Sequence, residues 1–447
     1  MPKPPACPDK VNVLLIGGGG REHALGWKIK KSGRLGKLWI DAKGHGGLAP
    51  LGECCPIPTS GPFHEKSNSL FQLRNWCEEQ DIGLIVVGPE IPLAQGIHDA
   101  LATETCLVFG PPEGGARLEA DKVFAKKLMR TVSVPTADGR TFTLAEDALE
   151  YVRAKEEPCV IKASGLAAGK GVMVCPTLPE AEEAITRVLI DREFGDAGNT
   201  LIVEEMLTGP EVSVLALTDG NVCWILDPAK DHKRVGEADT GPNTGGMGAY
   251  CPAPVLDEAQ MAFVEREIFV PTLDALKREG IVYRGVLYAG LMLTKAGPKV
   301  LEFNCRFGDP ECQPLLARLK GDIIQILWDT AAGNLANTTI EFDDRPACCV
   351  VMCSAGYPGT YEKGKPIEGI DTAQGLGGPG EQVIVFHAGT KYEGGEIVTN
   401  GGRVLSVTAL ASDLERARML ANEACAAIEF EGAFFRSDIG AKASSEP

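Results

Sequence analysis

The first strongly patterned stretch is Val11–Ile16, an apolar run of strand length, followed at once by four glycines and a helical pattern from about Arg21 to Lys31. Short apolar runs bounded by glycine or proline read as buried strands. The pattern then recurs. Lys37–Ile40 predicts a second short strand. Asp81–Val87 predicts another, ending at Gly88-Pro89-Glu90, and Leu107–Phe109 a further one closed by Gly110-Pro111-Pro112. Strands alternating with helices predict a parallel, doubly wound sheet over residues 1–115. Ligands of such sheets bind beyond the carboxyl ends of the strands.

After Gly110–Gly115 the pattern changes. A helix carrying Asp121-Lys122 is expected to run to about Arg130, with Val134-Pro135-Thr136 breaking it. Residues 116–194 read as a small lid unit. Residues 195–335 read as a larger unit, rich in strands and Gly-Pro loops. Residues 336–447 read as a C-terminal α+β unit with strands at Cys348–Cys353, Val383–His387 and Arg403–Ala409 and a helix at Asp413–Ile428. The polar, proline-rich start, MPKPPACPDK, has no apolar signal core and reads as a loose tail.

Composition narrows the class. A chain of 447 residues exceeds one ordinary core, and 44% hydrophobic content predicts a folded, soluble protein. No apolar run reaches the ~18 residues of a spanning helix, so no membrane partner is expected. The net charge of −17 argues against nucleic acid, so any phosphate site has to be a local cationic cluster. Fifteen cysteines occur without a C-x-x-C, mostly among apolar neighbours, which predicts reduced structural thiols in the cytoplasm.

Candidate chemistry is densest in Lys299–Pro314, KVLEFNCRFGDPECQP. Residues two apart on a strand share a face, so Glu302 and Asn304 present a carboxylate and an amide oxygen side by side. That pair suits a hard cation held partly by phosphates. Arg306 follows on the same side with a fork suited to phosphate or carboxylate. Without other signals the same pattern reads as an edge strand with a solvated polar face.

Four further stretches carry polar chemistry. The turn at Gly17, Gly18, Gly19 and Gly20 departs from the dinucleotide fingerprint, because the third glycine is replaced by Glu22 or His23 according to register. Asp41 stands where that pattern wants an acid, so a nicotinamide site stays open beside a sugar-phosphate cradle and a plain tight turn. The run Lys162-Ala-Ser164-Gly165-Leu-Ala-Ala-Gly169-Lys170-Gly171 lies between two strands and is not a Walker loop. It predicts a hairpin flap that closes over phosphates with its amides, with Lys122 and Lys162 as point charges, or else a solvated glycine hairpin. The run Glu204-Glu205-Met206-Leu207, with Glu211 beyond it, offers partners for an adenine and a ribose, or surface acids on a turn. Asp231-His232-Lys233-Arg234, followed by DTGPNTGGMGAY, is rich enough in glycine to imply a positioned backbone.

Together these stretches resemble the ATP-grasp superfamily, and more narrowly the glycinamide ribonucleotide synthetase family. LIGGGGREHAL, VVGPEIPLAQGI, IKASGLAAGKGV, IVEEMLTGPEVS, NTGGMGAY, RFGDPE and FHAGT…TNGGRVL occur in that family's order over nearly the whole chain. The resemblance implies an ATP-grasp fold with an N-terminal doubly wound domain and a small C-terminal α+β domain. It implies ligation of glycine to 5-phosphoribosylamine through glycyl phosphate, with ATP as co-substrate and Mg2+ or Mn2+ at Glu302 and Asn304. In that pattern Lys122, Lys162 and the flap hold phosphates, Glu204, Glu205 and Leu207 the adenine, and Glu211 the ribose. The glycine turn, Glu90, Asp231, Lys233 and Arg306 surround the other two substrates, with Asp231 and Arg306 in catalytic roles. Small molecules are the only partners implied. No obligate protein partner and no fused downstream purine enzyme is expected.

Two departures stand out. The strand before E-x-N, Ala289-Gly-Leu291-Met-Leu293, lacks the acid that many ATP-grasp enzymes carry there. Asp41-Ala-Lys-Gly44-His45-Gly46 replaces the family's Pro-Gly-Asn-x-Gly loop. Competing readings are another ATP-grasp carboxylate–amine ligase, a biotin-type carboxylase, or a nucleotide-binding sensor without catalysis.

Overall fold

A computed structural model describes residues 4–59, 68–167 and 169–441. The N-terminal sheet is wholly parallel, in the spatial order Glu53–Cys54, Leu35–Ile40, Val11–Ile16, Ile82–Val87, Leu107–Phe109. The chain leaves Val11–Ile16 in one direction and returns on its other side. The turns after Ile16 and Val87 therefore meet at the point where the order reverses, and Gly88 donates its amide to the Ile16 carbonyl.

Three larger antiparallel sheets and two two-stranded antiparallel ribbons complete the fold among the described residues. The lid sheet runs Gly139–Phe142, Leu201–Glu205, Cys159–Ala163, Val172–Cys175. Leu201–Glu205 follows residue 194 in sequence, yet its hydrogen bonds run to both lid neighbours. The sheet of the smaller unit thus reaches Glu205, because a strand belongs where its backbone groups are paired. The second sheet runs Cys223–Ile225, Glu211–Thr218, Gly285–Thr294, Gly297–Asn304. Its outer strand carries E-x-N, and the cleft lies between this strand and the lid.

The C-terminal sheet recruits two strands from the preceding unit. Lys230–Asp231 and Gly248–Cys251 extend the order Ala347–Ser354, Arg403–Leu410, Gln382–His387. Asp231 and Lys233 consequently sit at a junction of units. The predicted C-terminal helix is present as Leu414–Ala426, with Asp413 capping it through the Arg416 amide. Among the described residues no helix is long and apolar enough to cross a membrane. All fifteen cysteines are free thiols, eleven of them buried, as their apolar neighbours predicted.

The unusual Asp41–Gly46 loop seats the C-terminal unit. His45 Nδ1 accepts from the amides of Gly47 and Leu48 at 3.2 and 3.1 Å, while Nε2 lies 2.8 Å from the Ala388 carbonyl. Tyr392 donates its amide to the Gly44 carbonyl at 2.9 Å. Asp41 itself accepts from the Gly17 amide at 2.8 Å and the Thr59 hydroxyl at 2.5 Å. Its carboxylate is spent on the turn, which removes the ribose partner that a nicotinamide site would need.

Candidate active site

Glu302 and Asn304 share the face of their strand that turns toward the cleft. The antiparallel register sets Gly290 opposite Glu302 and Tyr288 opposite Asn304. No acid stands across from the pair, as the sequence indicated. Among the described residues the Glu302 carboxylate has no hydrogen-bond or ion-pair partner. Burial opposes its charge, but Lys233, Lys162, Lys122 and Arg306 around it hold the carboxyl below its ordinary range. An ionised carboxylate without a direct partner, next to an amide oxygen, fits a hard divalent cation with two protein oxygens. No cluster of three or more His, Cys, Asp or Glu side chains with metal-binding geometry occurs among the described residues. Most ligands of such a cation would then be phosphate or water.

Cations line the lid side. Lys162 Nζ lies 2.8 Å from Glu204 Oε2 and donates to the Leu301 carbonyl at 2.8 Å. Lys126 Nζ takes the other oxygen of Glu204 at 2.7 Å. Glu204, expected at the adenine, lines both lobes of the cleft and also bridges two lysines. Lys126 was not singled out from sequence, although its spacing of four from Lys122 puts both on one helix face. Lys122 Nζ reaches the Gly165 carbonyl at 3.3 Å. Burial lowers its pKa, and the nearby Glu302 works against that.

The flap is anchored at its base. Ser164 Oγ donates to Asp121 at 3.1 Å and accepts from the Val123 amide at 3.3 Å, which ties the flap to the start of the Lys122–Thr131 helix. The Gly165 amide goes to the Ala197 carbonyl at 3.0 Å. Ala168, within the predicted flap, lies outside the described residues. Leu166, Ala167, Gly169 and Gly171 line the cleft. Glu205 lines the cleft beside Met206 and Leu207, and its carboxylate accepts from Lys299 at 2.8 Å and from the Asp138 amide at 3.0 Å, linking lid to large sheet. Met206 and Leu207 line a second lobe of about 420 Å³, contiguous with the first of about 390 Å³. Glu211 lines this second lobe too and pairs with Lys233 at 2.8 Å.

Asp231 stands beside that pair. Burial pushes its carboxyl up to about 7, with Lys233 opposing and Glu311 and Glu211 adding to the rise. Lys233 is held well above its ordinary value, because Asp231 and Glu211 outweigh the cost of burying it. His232 stays neutral, pushed down to about 4 by burial and by Arg436, and it lines neither lobe.

At the opposite end, Glu22 caps the glycine turn by accepting from the Gly19 amide at 2.6 Å, and pairs with Arg21 at 2.6 Å. With Gly17 given to Asp41, two of the four amides are engaged. Among the described residues neither Gly18 nor Gly20 donates its amide to a protein acceptor. Glu90 lies at the start of a short helix after Pro89 and faces Arg306 at 3.4 Å.

Arg306, expected to meet phosphate or carboxylate, is held by Glu119 at 2.7 Å and by Asn304 Oδ1 at 3.1 Å. Asp309 pairs with Arg403 at 3.1 Å, and Glu311 accepts from the Tyr288 hydroxyl at 2.6 Å. Arg403 also donates to the carbonyls of Gly245 and Asp309 at 2.6 and 2.7 Å. The C-terminal unit thereby fastens the NTGGMG loop to the RFGDPE loop. Gly246 has φ +113 and abuts the ring of Pro310, so only glycine fits this approach. Glu119 and Arg403 carried no sequence signal of their own, since each acts only through contacts distant in the chain.

A lysine-bearing antiparallel lid over a sheet whose outer strand presents E-x-N defines an ATP-grasp enzyme. Three family models match in succession: the phosphoribosylglycinamide synthetase N domain over residues 11–119, its ATP-grasp (A) domain over 120–312 and its C domain over 347–442. The chain belongs to the phosphoribosylglycinamide synthetase family. It is 51% identical over 442 residues to the phosphoribosylamine–glycine ligase of Rhodopirellula baltica, which spans 97% of this chain and 98% of that one. It is 46% identical over 433 residues to the trifunctional purine biosynthetic protein adenosine-3 of Gallus gallus, matching 96% of this chain and 42% of that longer protein. The crystal structure of phosphoribosylamine–glycine ligase from Thermotoga maritima has a TM-score of 0.79 at 31% identity and covers 96% of this chain and 100% of that one.

Proposed function

We propose that this chain joins glycine to 5-phosphoribosylamine with ATP, giving glycinamide ribonucleotide, ADP and phosphate in cytoplasmic purine biosynthesis. The observation that carries the reading is Glu302: an ionised carboxylate with no hydrogen-bond or ion-pair partner among the described residues, ringed by cations in a cleft that two sheets enclose. ATP lies under the lid, with its phosphates toward Lys122, Lys162 and the flap at Ser164–Gly171. Its adenine contacts Met206, Leu207 and the backbone after Glu204, and its ribose meets Glu211. Glu302 and Asn304 would hold Mg2+ or Mn2+, which when bound would supply charge neutralisation for phosphoryl transfer.

Glycine places its carboxylate toward Arg306. An oxygen of that carboxylate takes the γ-phosphoryl, the bond to ADP breaks, and glycyl phosphate forms. The amine of phosphoribosylamine attacks the carbonyl, the carbon–oxygen bond to phosphate breaks, and the amine proton passes to the Asp231 carboxylate. Gly18, Gly20 and Glu90 position the ribose phosphate and sugar, and Lys233 holds Asp231 in place. Incubation with ATP, phosphoribosylamine and carbon-13 glycine should give labelled glycinamide ribonucleotide by mass spectrometry. Product from bicarbonate or formate in place of glycine would refute the assignment.

Two predictions follow from the geometry. With its carboxyl near 7, Asp231 is protonated on the acid side, so turnover should fall as pH drops below about 7. Asp231→Asn should be slower at every pH, by roughly 10- to 100-fold at neutral pH, and should lack that limb. An unchanged acid limb in the variant would remove Asp231 from the proton transfer. Nucleotide binding should also order the flap, because its small side chains pack no core of their own. Amide exchange across Gly165–Gly171 should slow on adding ATP, whereas equal exchange with and without nucleotide would contradict closure.

A further inference from the structure

Glu119 lies far from E-x-N in sequence, near the end of the Glu113–Ala120 helix and two residues before the helix cap Asp121. Its carboxylate is buried, and both oxygens are committed to the segment that follows the E-x-N strand. Oε1 accepts from Arg306 Nη2 at 2.7 Å. Oε2 accepts from the Cys305 amide at 2.8 Å and the Cys305 thiol at 3.2 Å. The same Arg306 Nη2 reaches Asn304 Oδ1 at 3.1 Å. A continuous chain of hydrogen bonds therefore leads from Glu119 through Arg306 to Asn304.

That chain has a directional consequence. An amide oxygen has two lone pairs, and its NH2 has only donors. With a guanidinium donor on one lone pair, Asn304 is locked with its oxygen toward the cleft, and the other lone pair is left for a cation. Without that donor the amide can rotate and offer NH2 to the cation instead, which repels it. Glu119 fixes the guanidinium that makes this choice, and through the Cys305 amide it fixes the turn on which Arg306 stands.

We propose that Glu119 is a positioning residue that acts through Arg306 to set the orientation of Asn304 and the fork of Arg306. This rests on the reading of Arg306 and Asn304 given above. Groups that orient metal ligands typically contribute about 10- to 100-fold in affinity or activity. Glu119→Gln keeps the volume, can still accept from the Cys305 amide, and turns a donor or a weaker acceptor toward Arg306.

The test is a double-mutant cycle of Glu119→Gln with Arg306→Ala, read in two ways on protein shown to be folded by its melting transition. The first reading is kcat and KM for each substrate. The second is Mn2+ binding in the presence of ADP, followed by the paramagnetic resonance of free Mn2+. The expected result is a drop of about 10- to 100-fold in kcat and weaker Mn2+ binding in Glu119→Gln, a largely unchanged KM for ATP, and no further loss when Glu119→Gln is added to Arg306→Ala. Independent, multiplying losses in the cycle would overturn the proposal. So would a lower melting temperature with normal turnover and normal Mn2+ binding. If Arg306→Ala alone keeps full turnover, the role assigned to Arg306 fails first, and the cycle shows that separately. Should Glu119→Gln not fold, Glu119→Asp keeps the charge but withdraws it by one methylene, and the same outcomes apply.

Discussion

Glu302→Ala should abolish ligase turnover, by roughly a thousandfold or more, and leave the fold in place. The loss is large because the substitution removes the only charged member of the E-x-N pair. Asn304 alone would then face the cation, and the phosphoryl would move without a metal bridge. The fold persists because Glu302 makes no hydrogen bond or ion pair within the described residues, so its removal orphans no donor. It also takes one anion from among Lys122, Lys162 and Lys233, whose remaining counter-charges are Glu204, Glu211 and Asp231. Thermal unfolding should shift little. Near-normal turnover at saturating magnesium would contradict the metal assignment, and a collapsed transition would show that Glu302 is structural.

Arg306→Lys should lower turnover by about two orders of magnitude or more, with little change in KM for ATP. The guanidinium meets three side chains in a fixed fork, Glu119, Asn304 and, more distantly, Glu90. An ammonium is a point donor and cannot hold that geometry while also meeting a carboxylate of the substrate. Some stability should be lost as well, because the buried Glu119 and the half-buried Glu90 lose their fixed partner. In the proposed reading ATP meets Lys122, Lys162, the flap and Glu211, none of which hydrogen-bonds to Arg306 among the described residues. Turnover and melting temperature measured on the same sample separate the two effects. Preserved turnover per folded molecule with a lower melting temperature would end the claim that Arg306 acts on substrate.

Much of the site was legible from residue type and spacing. Glu302 and Asn304 could be set on one face because strand periodicity is two, and they stand opposite Gly290 and Tyr288 in the register; Arg306 lies beyond the end of that strand and reaches Asn304 through its side chain. Lys122 and Lys162 flank the same cleft. What could not be read was who pairs with whom. Glu204 reads from sequence as an acid at a nucleoside, and nothing local shows that two lysines also close on it from other elements. Arg306 is visible in sequence as a cation just after the E-x-N strand, whereas its partner Glu119 comes 187 residues earlier. Ion pairs across such separations follow from tertiary packing, which local patterns do not encode. The Asp41–Gly46 loop shows the same limit. Its change of sequence is visible at once, but its purpose appears only when His45 is found beneath the C-terminal unit.

The most direct measurement of the central claim is ADP formation with each substrate omitted in turn. The account predicts ADP and glycinamide ribonucleotide in equal amounts when ATP, a divalent metal, glycine and 5-phosphoribosylamine are all present. Without glycine, ADP formation should fall to background. ADP released at the full rate without glycine, or no ADP with every substrate present, would contradict it.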